Sequence, residues 1–361
     1  MRSVLRKLAV PFLAALAIAP TGAAAWCQSA ATAPSKTQPR IEAINPPDGG
    51  FYAKKLDYYG IPIKAPAVVA DAALQAARTR LDCMLGKSPN IRANLAANGA
   101  ELHIIGKNQV TSDLPEHRHL KGKPLEGTLT VDQRTRGLGG LLASCGEENL
   151  LRLPGDRYAG RDICVHEFAH TIRAFGLSDD VRQKIKAQYR QSLDHGKWKP
   201  AYAATNDDEF FAELSMWYFG THGDTKGLAP APLPGREGLR RYDAEAFDLL
   251  DSIYSGRIPV KLTKLIVLPS EPIEREAQLR SVESNQKTEI TFRNRTAEPV
   301  ELYWLDYQGK RHSYGIIQSG GSEVHNTFVT HVWLLASKNG RVLGLYVARA
   351  EAAQVLVEDK P

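Results

Sequence analysis

The sequence lacks several features that would mark a membrane, nucleic-acid-binding or zinc–cysteine protein. Beyond the first 25 residues no apolar run is long enough for a transmembrane helix. No stretch interleaves Lys and Arg with aromatic residues, so the net charge of +6, from 46 basic and 40 acidic residues, predicts a solvated surface and no nucleic-acid partner. No two of the four cysteines have the C-x-x-C spacing of a cysteine-rich zinc site. The 361 residues are enough for two domains.

The N-terminus has the pattern of a signal peptide over residues 1–25. Basic residues precede an apolar stretch at residues 8–18, and Ala23-Ala24-Ala25 offers a cleavage site before Trp26. We therefore expect a secreted or periplasmic protein with no membrane span.

Export changes the meaning of the cysteines, because an even number in an oxidising compartment suggests disulfides. Cys27, Cys83, Cys145 and Cys164 allow three pairings. The short loop between Cys145 and Cys164 favours that pair, which leaves Cys27–Cys83.

The composition and periodicity of the chain predict two folded domains. Residues 26–64 are rich in small and turn-forming residues and predict a flexible lead-in. Residues 65–258 predict a mostly helical α+β domain with a small sheet. Helical periods stop after residue 258, and short β-like runs follow a linker at residues 259–274. We predict an all-β sandwich over residues 275–350 and a tail at residues 351–361.

The segment His166-Glu167-Phe168-Ala169-His170 carries the strongest chemical signal. Residues four apart lie on one face of a helix, so His166 and His170 can bind one Zn²⁺ ion, while Glu167 can take a proton from zinc-bound water. A catalytic zinc needs a third protein ligand and an open position. Glu209 and Glu213 share a face of a downstream helix. We prefer Glu209 as the ligand and Glu213 as a partner that orients a histidine. A solvated or capping carboxylate is the alternative for Glu213.

The stretch from Tyr202 to Glu213, YAATNDDEFFAE, resembles the corresponding stretch of the anthrax lethal factor peptidase family. That family has HExxH, then a tyrosine, then a zinc-binding glutamate seven residues after it, as Tyr202 and Glu209 are spaced here. The resemblance implies an α+β zincin-like metallopeptidase domain. It also implies that Tyr202 donates a hydrogen bond to the oxyanion of the reaction. A structural tyrosine is the alternative.

A second resemblance covers residues 279–347. The runs RSVES at 280–284, LYWLDYQG at 302–309 and HVWL at 331–334 are similar to the β-domain of the von Hippel–Lindau family. In that family an aromatic-walled pocket binds hydroxyproline in an extended peptide. The matching positions here are Tyr314, Thr327, Phe328, His331 and Trp333. A decayed pocket, with Trp304 and Trp333 as core residues, is the alternative.

Together these patterns predict an exported zinc-dependent endopeptidase, with one Zn²⁺ ion and a peptide or protein substrate. Its β-domain would recruit a substrate or partner, such as a hydroxyproline-containing peptide. One alternative is a peptide-binding protein with a vestigial or structural metal site. Another is cleavage of a different amide, such as one in a cell-wall polymer.

Overall fold

The computed structural model describes residues 40–262, 266–351 and 353–358, without the side chains of residues 125 and 126. The predicted signal peptide, Cys27 and the first part of the predicted lead-in lie outside this range. None of the described helices is long and apolar enough to cross a membrane. The described residues form an α+β domain followed by a β-rich one, each around its own apolar core.

The first domain is built on a six-stranded sheet with the order β1-β2-β3-β4-β8-β7, and β5 and β6 form a separate hairpin. Strands β3, β4 and β8 run parallel, and the remaining neighbours are antiparallel. The bounds are β1 (Glu42–Asp48), β2 (Tyr52–Tyr58), β3 (Ile61–Pro66), β4 (Glu101–Ile105), β5 (Pro124–Glu126), β6 (Leu129–Thr130), β7 (Gly137–Leu138) and β8 (Leu142–Gly146).

The expectation of a flexible lead-in up to residue 64 is wrong where the structure describes it, because β1 to β3 form half of the sheet. The turn residues that suggested irregular chain instead connect strands. Gly49 and Gly50 have positive φ between β1 and β2, and Tyr59 and Gly60 have positive φ between β2 and β3. Two consecutive residues with φ above zero match the twist of a tight hairpin.

Helices cover the sheet and carry the candidate site. Their bounds are α1 (Asp71–Leu85), α2 (Pro89–Asn98), α3 (Val131–Arg134), α4 (Glu147–Leu150), α5 (Ile163–Thr171), α6 (Asp179–Asp194), α7 (Asp207–Tyr218), α8 (Arg236–Tyr242) and α9 (Ala244–Tyr254). A π-helical turn, Ile172–Gly176, continues α5. The largest buried side chains of α7, Phe210, Phe211 and Trp217, join the main core. This anchors α7 against α5.

The second domain contains two four-stranded sheets, ordered β13-β10-β16-β9 and β12-β11-β14-β15. Phe292 from the first sheet and Leu302, Trp333 and Leu335 from the second share one core, so the sheets form a sandwich. The bounds are β9 (Ile266–Val267), β10 (Lys287–Asn294), β11 (Val300–Leu305), β12 (Arg311–Ile317), β13 (Ser322–Phe328), β14 (Val332–Ser337), β15 (Val342–Val347) and β16 (Ala353–Val357).

Two predicted boundaries of this domain need correction. The predicted tail contains β16, which pairs in parallel with β10, and the predicted linker contains β9, which pairs with β16. Strand β9 is too short, and β16 too close to the chain end, to be recognised from the residue pattern. Their apolar side chains, such as Val355, complete the sandwich core.

Candidate metal centre

Helix α5 presents the HExxH residues to a cavity of about 960 Å³. Its N-terminus is capped by Asp162, whose Oδ1 accepts from the backbone N–H of Val165 at 3.2 Å. The same carboxylate meets Arg80 and Arg152, each at 3.2 Å. Such a cap satisfies one of the free N–H groups at a helix start. The cap therefore fixes where the first turn of α5 begins, four residues before His166.

Helix α7 brings the second set of side chains. The side chain of Asn206 caps it by accepting from the backbone N–H groups of Asp208 and Glu209 at 2.9 and 2.8 Å. Asp207, Asp208 and Glu209 lie in the first turn, where the helix dipole favours negative charge. The cap holds the turn that carries Glu209 opposite the histidines of α5.

Three side-chain atoms converge between the two helices. His166 Nε2 and His170 Nε2 lie 3.2 Å apart, and Glu209 Oε2 lies 3.3 and 3.5 Å from them. Tetrahedral Zn²⁺ with bonds of about 2.0–2.1 Å would separate its ligand atoms by about 3.3 Å. Glu209 Oε2 is also buried without a hydrogen-bond partner among the described residues. The spacing, the orphan acceptor and the nitrogen and oxygen donors all fit a zinc ion.

Glu167 stands beside this triangle. Its carboxylate and the two histidines each offer an atom within 4.8 Å of the others, so it could also reach a metal ion held there. Glu209, in contrast, is the carboxylate that completes the 3.2–3.5 Å set with the two histidines. Burial raises the pKa of Glu167 above its ordinary value, against the lowering effect of His166 and His170. A carboxylate with a raised pKa is better matched to proton transfer near neutral pH.

The second nitrogen of each histidine faces a carboxylate. His166 Nδ1 lies 3.2 Å from Glu213 Oε1, and His170 Nδ1 lies 3.3 Å from Asp208 Oδ1. Glu213 is fully buried and also accepts from Arg161 at 2.7 Å and from the backbone N–H of Asp224. His166 Nδ1 itself makes no hydrogen bond of good geometry among the described residues, so Glu213 acts on this ring through proximity and charge. A carboxylate in such a position orients a metal-binding imidazole. Sequence reasoning missed Asp208, although its place beside Glu209 in a capped first turn was a usable signal.

The acids around the histidines favour positive charge at the centre. Burial alone would lower the pKa of His166, but Glu209 and Glu213 outweigh it and raise that pKa to about 9. For His170, burial is likewise outweighed, by Asp208 and Glu209, and its pKa rises to about 10. The negative charge of the same carboxylates would favour a divalent cation in place of the extra protons on the two histidines.

Tyr202 lies at the edge of the same cavity. Its hydroxyl donates to Glu209 Oε1 at 3.2 Å, and its backbone N–H donates to Asp224 Oδ2 at 3.0 Å. Burial and the nearby Glu209 carboxylate raise the pKa of Tyr202, so its phenol keeps its proton. The structure therefore brings a neutral donor next to the third candidate ligand.

Strand β7 forms one wall of the cavity and is the outermost strand of the six-stranded sheet. An added Cβ at Gly137 would lie 3.0 Å from Glu167 Cγ, and one at Gly139 would lie 2.7 Å from His170 Cβ. The chain therefore passes as close to the HExxH helix as glycine allows. Strand β4, in contrast, is an interior strand, because it pairs with both β3 and β8.

His103 is buried on β4. Its Nδ1 lies 2.5 Å from Glu116 Oε1 and its Nε2 lies 3.0 Å from Glu101 Oε2. Tyr52 donates to Glu116 at 2.8 Å. Burial would lower the pKa of His103, but the two carboxylates raise it to about 9. His103 is thus the centre of a charged network away from the candidate metal centre.

The predicted Cys145–Cys164 disulfide is not formed. Both residues are buried free thiols. Burial, followed by a hydrogen bond with Cys164, raises the pKa of Cys145. The short loop connects β8 to α5, and the two cysteines remain free thiols. Cys83 is disulfide-bonded, and its predicted partner, Cys27, lies outside the described residues.

The five residues predicted for the β-domain pocket also come together. The Trp333 ring lies 4.9 Å from that of Tyr314, and Phe328 lies 5.4 Å from His331. Thr327 Oγ1 accepts from Trp333 Nε1 at 3.2 Å and lies 3.3 Å from His331 Nδ1. His331 Nε2 is buried with no hydrogen-bond partner in the part of the chain that the structure describes.

Trp304, predicted as a core residue, packs at the end of the sandwich core and is partly exposed. It pairs with Trp333 across β11 and β14, so the two indoles lie on one face. Its ring lies 5.4 Å from that of His331, and its Nε1 is also buried without a partner in the described chain. The same cluster is therefore both core and the floor of the predicted pocket.

Comparison with known proteins identifies the second domain. No curated protein matches the chain significantly. Residues 279–351 match the family model of the VHL beta domain. The match covers β10 to β15 and the segment that leads into them. It supports the expected β-domain of the von Hippel–Lindau type, which here follows an α+β domain that carries the His166, His170 and Glu209 cluster.

Proposed function

We propose that the protein is an exported zinc-dependent endopeptidase whose β-domain binds substrate or partner peptides. The observation that carries the proposal is the triangle of His166 Nε2, His170 Nε2 and Glu209 Oε2, with sides of 3.2–3.5 Å. Glu167 beside it and Tyr202 at its edge supply the two further groups that peptide hydrolysis needs.

Each of these residues would have its own role in peptide hydrolysis. His166, His170 and Glu209 hold the zinc ion, which when bound supplies a Lewis acid and makes water more acidic. Glu167 accepts a proton from the attacking water and returns it to the leaving amine. Tyr202 donates a hydrogen bond to the carbonyl oxygen as negative charge develops there. The free edge of β7 offers backbone groups to an extended peptide.

Glu167→Gln tests this mechanism. The variant keeps the size of the side chain but removes the base, so we expect at least a 100-fold loss of peptide hydrolysis, roughly the contribution of general base catalysis. Bound zinc, measured by elemental analysis of the purified protein, should stay at one ion per chain. Glu237→Gln, an exposed change on α8, is the matched control. Full activity of Glu167→Gln would refute the mechanism.

A second candidate function is peptide binding without catalysis. It is favoured by the VHL beta domain match and by the buried, unpartnered Nε2 of His331 beside Thr327 and Trp333. Calorimetry with paired proline and hydroxyproline peptides tests it. Tighter binding of the hydroxylated peptide by a protein that hydrolyses no peptide would favour this function. Equal binding of both would remove the hydroxyproline pocket.

A further inference from the structure

A second cavity, of about 390 Å³, lies between the two domains. The first domain contributes Glu116, Leu141, Leu142 and Phe175, among others, and the β-domain contributes the end of β12, the turn after it and the start of β13, residues 316–323. We call this cavity the interdomain cleft.

The interdomain cleft adjoins the cavity of the candidate metal centre. Gly139, Gly140 and Phe175 line both cavities. Phe175 lies in the π-helical turn that continues α5 beyond His170. The two glycines follow β7 along the chain, so the free edge that passes the metal centre leads directly into the cleft.

The two walls of the cleft are held in a fixed relation. Arg293 of β10 is buried and donates to the backbone carbonyl and the side-chain oxygen of Asn98. Its guanidinium also lies 5.7 Å from the centre of the Phe175 ring. At the turn between β12 and β13, an added Cβ on Gly320 would lie 2.2 Å from Leu142 Cδ1. The β-domain is therefore close-packed against the first domain beside the cleft.

The chemistry of the cleft is apolar at the floor and polar at the rim. Leu141 and Ile317 are buried, and Phe175 and Leu142 are half-buried. Ile316, in contrast, is 51% exposed at the β-domain wall. Glu116 is already engaged by His103 and Tyr52, so its charge is neutralised within the protein. His117, His119 and Glu323 add polar groups to the lining. Leu142, Phe175 and Ile316 supply the apolar surface on which an apolar side chain would pack.

We propose that the interdomain cleft is a substrate subsite of the proposed peptidase, in which the β-domain forms one wall and receives an apolar side chain of an extended polypeptide. This inference rests on the proposed function. Strands advance about 3.3 Å per residue, and Gly139 already abuts His170. The peptide residue in the cleft would therefore lie further along the peptide than the residues next to the scissile bond. Peptides too short to reach the cleft would bind at the metal centre only.

Ile316→Glu in the full-length protein tests the subsite, because its exposed side chain can change without disturbing a core. The probes are two peptide series with the same cleaved bond. One ends two residues from that bond, and the other extends four residues further with Leu, Lys or Glu facing the cleft. We expect kcat/KM for the long Leu peptide to fall roughly tenfold, the scale of losing one apolar contact. The short peptides should be unaffected, and Lys should become the preferred residue.

Val324→Glu is the matched control, since Val324 is 57% exposed in the same domain and lies outside the cleft lining. It should leave both series unchanged. An equal loss on short and long peptides, or no change of preference from Leu to Lys, overturns the subsite while leaving the peptidase in place. Failure of the unmodified protein to cleave either series overturns the proposed function, and the subsite with it.

Discussion

At the scale of single residues, the candidate metal centre depends on the orientation of its two histidine rings. Each ring has one nitrogen in the triangle and the other against a carboxylate, Glu213 for His166 and Asp208 for His170. Asp208 is itself held by Arg173 at 3.3 Å. Because an imidazole that can rotate loses its ligand geometry, these acids should matter for zinc affinity without binding the ion.

Asp208→Asn removes the negative charge that faces His170 Nδ1. We expect zinc affinity to fall about 10- to 100-fold, the usual effect of losing such a contact, with little change in the fold. Competition with a chromogenic chelator measures the affinity. Asp207→Asn is the neighbouring control, because Asp207 pairs with Arg173 and touches neither histidine. Equal losses in both variants would mean that Asp208 acts only through the helix terminus.

His103 supplies a second residue-scale feature, a buried positive charge between two acids. The carboxylates raise its pKa from 6.5 to about 9, while burial opposes the shift. For Glu101 and Glu116, burial would raise the pKa, but His103 lowers it to about 2. Lys64 adds a further ion pair to Glu101 at 2.6 Å. The network therefore stabilises the fold at pH values between the lowered pKa of the two carboxylates and the raised pKa of His103.

The pH dependence of unfolding follows from these shifts. A raised histidine pKa stabilises the fold fully below about pH 6.5, and this contribution is lost as the pH rises through about 9. The lowered carboxylate pKa values stabilise above about pH 4.5, and this contribution is lost as the pH falls towards 2. Urea unfolding at a series of pH values should show both losses.

His103→Gln should reduce the alkaline loss, to which His166 and His170 also contribute, and lower the free energy of unfolding at neutral pH. Two buried carboxylates would remain without their shared counter-charge, at a cost of about 3–5 kcal/mol. His195→Gln is the control, since His195 is exposed at the end of α6. An unchanged slope between pH 6.5 and 9 in the His103 variant would contradict the network.

At the scale of elements, the site depends on the close approach of one edge strand to one helix. Gly137 in β7 and Gly139 just after it lie so close to α5 that an added Cβ would meet Glu167 and His170, respectively. Strand β7 ends its sheet, so among the described residues it has a strand neighbour on one side only. A short, glycine-bearing edge therefore serves both the packing of the HExxH helix and the approach of a peptide backbone.

Gly139→Ala places a methyl group 2.7 Å from His170 Cβ. We expect the helix or strand to shift, with zinc affinity lowered at least tenfold and the melting temperature reduced. Gly196→Ala is a useful comparison, because its Cβ meets nothing within 4 Å while its φ of +71° strains the backbone. That variant should lose stability and keep its zinc affinity. Normal zinc binding by Gly139→Ala would show that the contact can relax.

At the scale of the whole molecule, the two domains are joined by more than their linker. Arg293 reaches from the β-domain to Asn98 at the end of α2, and Asn98 in turn donates to the carbonyl of Phe175 at 3.1 Å. Phe175 belongs to the turn after the HExxH helix. The β-domain is thus connected to the candidate metal centre through three residues.

Arg293→Ala should loosen this docking. The oxygens of Asn98 would lose their donor, at a cost of about 2 kcal/mol. We expect faster limited proteolysis between residues 259 and 274, read by mass spectrometry. Arg311→Ala is the control, because Arg311 pairs with Glu276 at 2.6 Å within the β-domain. Equal cleavage of both variants would show that Arg293 does not hold the domains together.

Periodic and capped elements were predictable from sequence, and irregular ones were not. The α5 and α7 helices follow from apolar spacing with Asp162 and Asn206 in capping positions. Strands β1 to β3 were missed because prolines and glycines lie within or between them, and β16 because it lies at the chain end. Asp208 and the Arg293 contact were missed because each depends on a partner that is distant in sequence.

The sequence by itself determined the spacing of His166, Glu167 and His170, the Tyr202 to Glu209 interval and the β-domain pattern, because these are local or repeat along one element. Only the tertiary structure decided that Glu209 completes a triangle with the two histidines, that Cys145 and Cys164 remain thiols, and that β7 is the open edge. It also decided that the β-domain borders the candidate site, since the packing of two domains depends on contacts that no single stretch of chain contains.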